Sequence, residues 1–218
     1  MADHTYFESF SIRSSETDTS GKASLHALCD LLQEVAGNHA RRLNFDITDL
    51  FEKNLTWVLH RLHVRMDEYP LWRQIIEIET WPSKGDALRA YRDFKIRNEQ
   101  NKILGVCLSY WMMINLKNRR PVRMPDEVLQ LGLRDDPHTL KVQGGKVHRH
   151  KVFENQRSFQ VRKSDLDMNH HVNNVAYIRW IWDCLPHDQS PYEMDIQFLR
   201  EAVLGENLCC DWSRVKDA

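Results

Sequence analysis

The chain has 218 residues, of which 42% are hydrophobic, and a formal net charge of −1. This length suffices for one large domain or two small ones with a packed core, and the balanced charge excludes a general electrostatic attraction to nucleic acid or membrane. No stretch approaches the roughly 18 uninterrupted apolar residues of a membrane span. The first residues show no signal-peptide pattern, and the five cysteines form no C-x-x-C pair, so we predict a cytoplasmic protein with reduced thiols.

The first elements in chain order are a strand and a long helix. Weak alternation predicts the strand from Phe7 to Ile12, and the helix runs from about Ser24 to Asn44 with Ser24 as its N-cap. Apolar residues spaced along one helical face indicate this helix: Leu25, Leu28, Cys29, Leu32, Val35, Ala36 and His39.

Four strands are predicted after this helix, around 62–66, 76–82, 88–98 and 103–116. Apolar residues at every second position favour an antiparallel meander with one apolar face. A curved sheet wrapped around one long helix buries both apolar surfaces. The first half is therefore predicted to be an α+β unit.

A polar segment, 118–146, is interpreted as a linker between an N-terminal domain, 1–117, and a C-terminal domain, 147–218. Within the linker, the stretch from Pro125 to Gly132 has Pro at the first helical position, acids in the first turn and Gly at the end. This order predicts a short helix.

The pattern of the first half then restarts. A strand-like stretch covers 151–165, a second helical stripe follows, and apolar alternation marks 194–198 and 208–210. The stripe consists of Val175, Ile178, Ile181, Trp182 and Leu185. We infer two copies of one helix-plus-sheet unit. The strands at 88–98 and 103–116 have no counterpart before Ala218, so the second copy is predicted to lack its last strands.

Polar residues precede the second helix in a pattern that the first copy does not share. When the copies are aligned, Asp167 falls on Asp18, but Asn169 and His171 fall on Ser20 and Lys22. In an extended segment alternate residues point the same way, so a carboxylate, an amide and an imidazole are expected on one side. If the helix begins near Val172, the backbone N–H groups of Val172 and Asn173 offer donors to an oxyanion. The same residues are also typical of a solvated helix cap, and their spacing leaves both interpretations open.

The stretch "SDLDMNHHVNNVAYIRWIWD" resembles the D-x-N-x-H-V-N-N-x-x-Y signature of the acyl-acyl-carrier-protein (acyl-ACP) thioesterases of bacteria and plant plastids. Further similar stretches are Thr56 to Trp72, Ile76 to Asn98 and Gly105 to Val128. The resemblance implies a tandem double hotdog fold, in which each copy is a long helix wrapped by a curved antiparallel sheet. It also implies hydrolysis of the thioester of fatty acyl-acyl carrier protein, releasing free fatty acid.

The same resemblance implies the catalytic residues. They are Asp167, Asn169 and His171 of the signature, together with Glu201 on a following strand. Some members have Cys after this Glu, whereas this chain has Ala202, so a cysteine nucleophile is not expected at that position. Either carboxylate is a candidate for the general base. No cofactor and no metal are expected.

The expected partner is acyl carrier protein with its phosphopantetheine-linked acyl chain, with neither nucleic acid nor membrane involved. Basic residues are candidates to steer this acidic partner, although ordinary solvated surface is the favoured interpretation: Arg41, Arg42, Arg119, Arg120 and Arg123. Two other functions remain open, an acyl-CoA thioesterase on the same fold and a non-catalytic hotdog that binds acyl thioesters as a sensor. Oligomeric state is also open, with a homodimer among the alternatives.

Overall fold

The computed structural model of the chain describes residues 4–130, 134, 136–147, 153–184 and 190–213. The first copy contains β1 (Tyr6–Ser11), α1 (Leu25–Arg42), α2 (Ile47–Phe51), β2 (Leu55–Met66), β3 (Ile75–Ser83), β4 (Arg89–Asn98) and β5 (Ile103–Asn115). A short helix, α3 (Asp126–Gln130), lies between the copies. The second copy contains β6 (Asn155–Gln160), α4 (Asn174–Trp182), β7 (Glu193–Gln197) and β8 (Asn207–Trp212).

One antiparallel sheet in the order β1-β3-β4-β5-β2-β7 wraps around α1. The Ser24 hydroxyl accepts a hydrogen bond from the Ala27 N–H at 3.4 Å and caps α1, as predicted. The predicted apolar face of α1 is buried against inward-facing residues of β2, β3 and β4. Removing this apolar surface from water is the main force that holds helix and sheet together. The long helix and the meander are therefore confirmed.

Strand β2 begins earlier than its sequence pattern indicates. A β-bulge at His60 interrupts the alternation of apolar residues, so the pattern does not mark the first half of the strand. The pairing with β5 shifts register between Leu59 and Arg61. Leu59 and Leu62 consequently both face the core, although strict alternation would place them on opposite sides. The extra residue changes the phase of the alternation, so the pattern revealed only the second half of the strand.

The predicted repeat is confirmed by matching elements and matching register. Tyr6 pairs with Thr80 between β1 and β3, and the corresponding Asn155 pairs with Trp212 between β6 and β8. Each copy has a 3-10 turn before its helix, at Ser14–Glu16 and Lys163–Asp165. Within the described residues β8 has no further neighbour like β4 or β5. The α+β fold class, with a smaller second hotdog, is confirmed.

The two copies join through an antiparallel ladder between β2 and β7. Residues 136–146 of the segment predicted to be the linker reinforce this joint because they cross the face of the sheet that carries Asp93 and Tyr110. The Asp93 carboxylate accepts the Thr139 N–H at 2.7 Å, and the Gln143 N–H donates to the Tyr110 hydroxyl oxygen at 2.8 Å. The Arg61 guanidinium reaches the Gly145 carbonyl at 3.2 Å. The segment is therefore anchored to the strands that it crosses.

Two expectations from the sequence fall outside the described residues, the helix end at Gly132 and the last stripe position, Leu185. The domain boundaries at 117 and 146 stay predictions. Among the described helices, none combines the length and the apolar character needed to cross a membrane.

Candidate active site

The polar signature forms a closed turn. The Asp167 Oδ1 accepts the backbone N–H groups of Asn169 at 2.8 Å and His171 at 3.1 Å, and the Asp167 N–H donates to the His171 carbonyl at 2.8 Å. His170 completes the turn with a φ of 62°. The expectation of an extended segment with three side chains on one side is therefore wrong. The Asp167 carboxylate folds back to accept these backbone N–H groups, and the resulting hydrogen bonds shape the loop that carries His171.

The helix begins later than expected, and this changes the predicted oxyanion donors. Asn173 is the N-cap of α4, and its side chain accepts the Val175 N–H at 3.0 Å. The Val172 N–H donates to the Ala202 carbonyl at 2.9 Å, and the Asn173 N–H donates to the Asp165 carbonyl at 2.8 Å. Both predicted donors are thus occupied by backbone carbonyls. Their assignment to an oxyanion hole is wrong for this conformation.

Glu201 lies in the loop between β7 and β8, so the expectation of a strand position is wrong. The hydrogen bond from Val172 to Ala202 brings this loop against the signature turn. The Glu201 Oε2 then lies 3.6 Å from the His171 Nε2, and both side chains are partly exposed. At this separation the carboxylate and the imidazole are close enough to act on one water or one substrate proton.

Arg119 contacts the glutamate of this pair. It lies in the turn that follows β5 of the first copy, at the start of the segment predicted to be the linker, and its Nη2 donates to the Glu201 Oε2. The sequence interpretation grouped Arg119 with surface cations because no spacing links it to a residue of the other copy. The carboxylate of Glu201 therefore faces an imidazole from its own copy and a guanidinium from the other.

Asn169 is exposed beside these groups. Among the described residues its side-chain amide has no hydrogen-bond partner, in contrast to the amide of Asn173. An unengaged amide offers both a donor and an acceptor to a bound molecule. The structure thus brings His171 and Glu201 into contact, uses Asp167 to shape the turn, and leaves Asn169 facing solvent.

A cavity of about 380 Å³ lies between the second half of α1, α2 and the sheet. Its volume falls in the range that accommodates small-molecule ligands. Its apolar wall includes Leu43, Phe45, Trp57 and Trp111. Gln33 lines the cavity and its side-chain oxygen lies 3.5 Å from the Asn174 Nδ2. The residues that line the cavity all precede the second copy, and Gln33 connects the cavity wall to Asn174, the first residue of α4.

The cavity also has a polar wall, which contains Arg92. The Arg92 Nη1 lies 2.9 Å from the His39 Nδ1 and 3.3 Å from the Thr80 hydroxyl. Burial lowers the pKa of Arg92 to about 10. An apolar ligand in this cavity would therefore lie near the Arg92 guanidinium, whose charge internal hydrogen bonds already engage.

The equivalent cleft of the first copy is closed. Lys22 and Leu71 form an isolated β-bridge, and the Trp72 N–H donates to the Gly21 carbonyl at 2.9 Å. The positions equivalent to Leu71 and Trp72 are Val203 and Leu204. In the described part of the second copy they make no such bond to the turn, which leaves the space around His171 open. Tyr69 occupies the position equivalent to Glu201, so the polar set occurs in one copy.

Comparison with known proteins matches a family model to each half of the chain. The family model described as the acyl-ACP thioesterase N-terminal domain matches residues 3–131, and that of the acyl-ACP thioesterase C-terminal domain matches residues 148–217. An oleoyl-acyl carrier protein thioesterase of Arabidopsis thaliana is 32% identical over 202 residues, which is 84% of this chain and 55% of that protein. A palmitoyl-acyl carrier protein thioesterase of the same plant is 33% identical over 212 residues, or 89% of this chain and 51% of that protein.

Solved structures resemble the fold over nearly all of the chain. An acyl-ACP thioesterase from Bacteroides thetaiotaomicron has a TM-score of 0.85 at 26% identity, covering 94% of this chain and 85% of that one. The 12:0-ACP thioesterase from Umbellularia californica has a TM-score of 0.84 at 25% identity, covering 97% and 88%. The chain spans about half the length of the curated plant relatives that it matches.

Proposed function

Because the chain belongs to the acyl-ACP thioesterase family, we propose that it hydrolyses the thioester of fatty acyl-acyl carrier protein and releases free fatty acid. The observation that carries this proposal is the 3.6 Å approach of the Glu201 Oε2 to the His171 Nε2, and a largely apolar cavity in the same molecule can hold an acyl chain. An acid–base pair together with such a cavity is what hydrolysis of an apolar acyl thioester requires. The four polar residues Asp167, Asn169, His171 and Glu201 exceed what binding alone needs, so a sensor role is the weaker alternative.

In the proposed mechanism Glu201, assisted by His171, takes a proton from water as general base. The water oxygen attacks the thioester carbonyl carbon, and a tetrahedral oxyanion forms. Collapse of this intermediate breaks the C–S bond, and the stored proton passes to the leaving thiolate. The products are a fatty acid and the free thiol of the carrier. Every proton and electron pair is accounted for by water and these two side chains.

We assign the general-base role to Glu201 rather than Asp167. The Asp167 Oδ1 accepts two backbone N–H groups inside the turn, whereas the Glu201 Oε2 faces the His171 Nε2 at 3.6 Å. Asp167 instead holds the turn that presents His171 and Asn169. The free amide of Asn169 is proposed to bind the thioester carbonyl oxygen or the attacking water.

The acyl chain is proposed to occupy the 380 Å³ cavity, with its thioester near Gln33 and the signature turn. Burial of each CH₂ group in such a cavity contributes about 0.8 kcal/mol to binding. The proposed partner is acyl carrier protein, which delivers the chain on its phosphopantetheine arm. We further propose that this reaction takes place in the cytoplasm.

The test is a comparison of wild type with His171→Ala and Glu201→Ala on acyl-acyl carrier protein. We expect kcat to fall by about 100-fold or more in each variant, since general acid–base catalysis contributes about 10²–10⁴-fold. Equal turnover in all three proteins would refute the site. No turnover in any of them, with tight thioester binding, would favour the sensor. The same acyl chain on CoA is the matched substrate, and a higher kcat/KM on CoA would favour the acyl-CoA alternative.

A further inference from the structure

Glu201 lies on a loop whose side chains are mostly exposed. Leu199, Val203 and Leu204 are 75%, 50% and 51% exposed, although the adjacent Ala202 is buried. A glutamate side chain with three rotatable bonds on such a loop has many accessible rotamers. The backbone bond from Val172 to Ala202 fixes the main chain beside Glu201 but not its carboxylate. Another group is needed to fix the carboxylate beside His171.

Arg119 is that group. Its Nη2 donates to the Glu201 Oε2, the same oxygen that faces the His171 Nε2 at 3.6 Å. Arg119 and Glu201 are about equally exposed, 40% and 41%, so the contact lies at the mouth of the site. Because the Glu201 Oε2 faces both the Arg119 guanidinium and the His171 imidazole, the Glu201 Oε1 is left to accept a hydrogen bond from water.

The turn that carries Arg119 is held by its own hydrogen bonds. The Asn115 Oδ1 accepts the N–H groups of Lys117 at 3.0 Å and Asn118 at 3.2 Å, and the Asn118 Oδ1 accepts the Arg120 N–H at 3.0 Å. Arg119 itself has a φ of 56°, and its N–H donates to the Asn115 carbonyl at 2.8 Å. A non-glycine residue in this left-handed region persists where surrounding contacts hold it. The turn therefore fixes the backbone from which the Arg119 side chain extends.

We propose that Arg119 is a positioning residue, contributed by the first copy, that orients the Glu201 carboxylate toward His171 for water activation. This inference rests on the proposed hydrolytic function. It makes the active site a joint product of both copies, since the second copy alone supplies the reacting groups but not the group that aligns them. Arg119 acts through Glu201 and needs no contact with the acyl chain.

The matched pair of variants is Arg119→Ala and Lys117→Ala. Both remove one exposed cation from the same turn, and Lys117 has no contact with Glu201 among the described residues. We expect Arg119→Ala to lower kcat by about 10- to 100-fold with little change in KM, because misplacement of a reacting group by about 1 Å costs on the order of 10²-fold. Lys117→Ala should leave kcat near the wild-type value.

Two rescue measurements separate alignment from general damage. Arg119→Lys should recover part of kcat, and free guanidinium at non-denaturing concentration should raise the kcat of Arg119→Ala but not that of Glu201→Ala. Equal kcat in Arg119→Ala and Lys117→Ala, in an active wild type, would overturn the proposal while leaving the hydrolytic function intact.

A crystal structure of Arg119→Ala keeps the inference testable even if wild type proves inactive. The expected result is a Glu201 carboxylate that has moved away from the His171 Nε2 or adopts several rotamers. A carboxylate that remains within 4 Å of that nitrogen in one rotamer would overturn the positioning role.

Discussion

His63 on β2 and Asp195 on β7 lie directly opposite each other in the antiparallel ladder, and they occupy equivalent positions of the two copies. The local twofold symmetry of the molecule therefore passes between these two residues. Arg61 lies two residues before His63 on β2, and its Nε and Nη2 donate hydrogen bonds to the two carboxylate oxygens of Asp195. Its side chain is only 6% exposed, whereas that of Asp195 is 29% exposed. The joint between the copies is thus held by a largely buried charge pair.

Asp195→Ala is predicted to destabilise the protein by about 2–3 kcal/mol. Removing one partner of a buried ion pair costs about 3–5 kcal/mol because the other charge is left uncompensated, and the partial exposure of Asp195 reduces this figure. Glu193→Ala is the control on the same strand. The Glu193 side chain is 46% exposed, and its Oε1 lies 2.5 Å from the His63 Nε2. Removing this exposed carboxylate should lower the free energy of unfolding by less than about 1 kcal/mol. Urea unfolding of both variants provides the comparison, and equal losses would contradict the role of the Arg61 pair.

The two signature turns allow a prediction that separates shape from chemistry. Asp18 Oδ1 accepts the N–H groups of Ser20 at 2.8 Å and Lys22 at 3.1 Å, just as Asp167 does in its own turn. Burial alone would raise the pKa of Asp18, but these hydrogen bonds and that of the Ser20 hydroxyl lower it overall. Asp18→Ala and Asp167→Ala are each expected to cost about 1–3 kcal/mol of stability.

Only Asp167→Ala should also lower turnover, by about 100-fold, because its turn holds His171 in place. Thermal unfolding and steady-state kinetics on both variants provide the readouts. A comparable loss of turnover in Asp18→Ala would show that the first turn participates in the chemistry.

A bulky residue in the cavity is expected to change the preference for chain length. Ala40 lines the cavity, and Ala40→Phe would fill part of its volume. The kcat/KM for long acyl chains should fall by at least about tenfold, while that for short chains changes less, because only long chains reach the filled space. Ala87→Phe is the control, since Ala87 is exposed in the turn between β3 and β4. A uniform loss across chain lengths would place the acyl chain elsewhere.

Stability is predicted to decrease on acidification because of His26. Burial, and after it the positive charge of Arg179, lowers the pKa of His26 below its ordinary value of 6.5, against an opposing effect of Asp183. Its Nδ1 is buried and has no hydrogen-bond partner among the described residues. Because the folded protein disfavours the protonated form, no penalty exists above pH 6.5, and stability falls as the pH decreases below that value.

His26→Gln should therefore reduce the difference in unfolding free energy between pH 7.5 and pH 5.5, as measured with urea at both values. His4→Gln is the control because His4 is exposed. An unchanged pH dependence in His26→Gln would assign the effect to other groups.

The parts of the fold that follow regular periodicity were predictable from the sequence. The helical stripe on α1 and the alternation in β3, β4 and β5 each report burial on one face, and the restart of the pattern revealed the second copy. Short or interrupted elements were not. The helix α2 was missed because five residues carry no repeating stripe, although Asp46 and Asp49 form a capping box that offered a signal. The bulge at His60 hid half of β2 for a related reason.

The candidate site was predictable in its residue types but not in its geometry. The signature identified His171 and, through resemblance, Glu201, and the structure brings their side chains together. It could not reveal that Val172 and Asn173 donate to carbonyls of other segments, since those partners depend on loop packing. Arg119 was beyond reach for the same reason. Arg119 contacts Glu201 only because the fold brings the turn after β5 next to the β7–β8 loop.

The bridge between Lys22 and Leu71, together with the bond from Trp72 to Gly21, has a consequence for how the duplicated unit diverges. In a dimer of identical subunits, a mutation that adapts the helix of one subunit to line a ligand cavity is present in the helix of the other subunit as well. Joining both units in one polypeptide removes that restriction. One copy can then close its own cleft with backbone hydrogen bonds and provide a ligand cavity. The other copy keeps the side chains that are proposed to react.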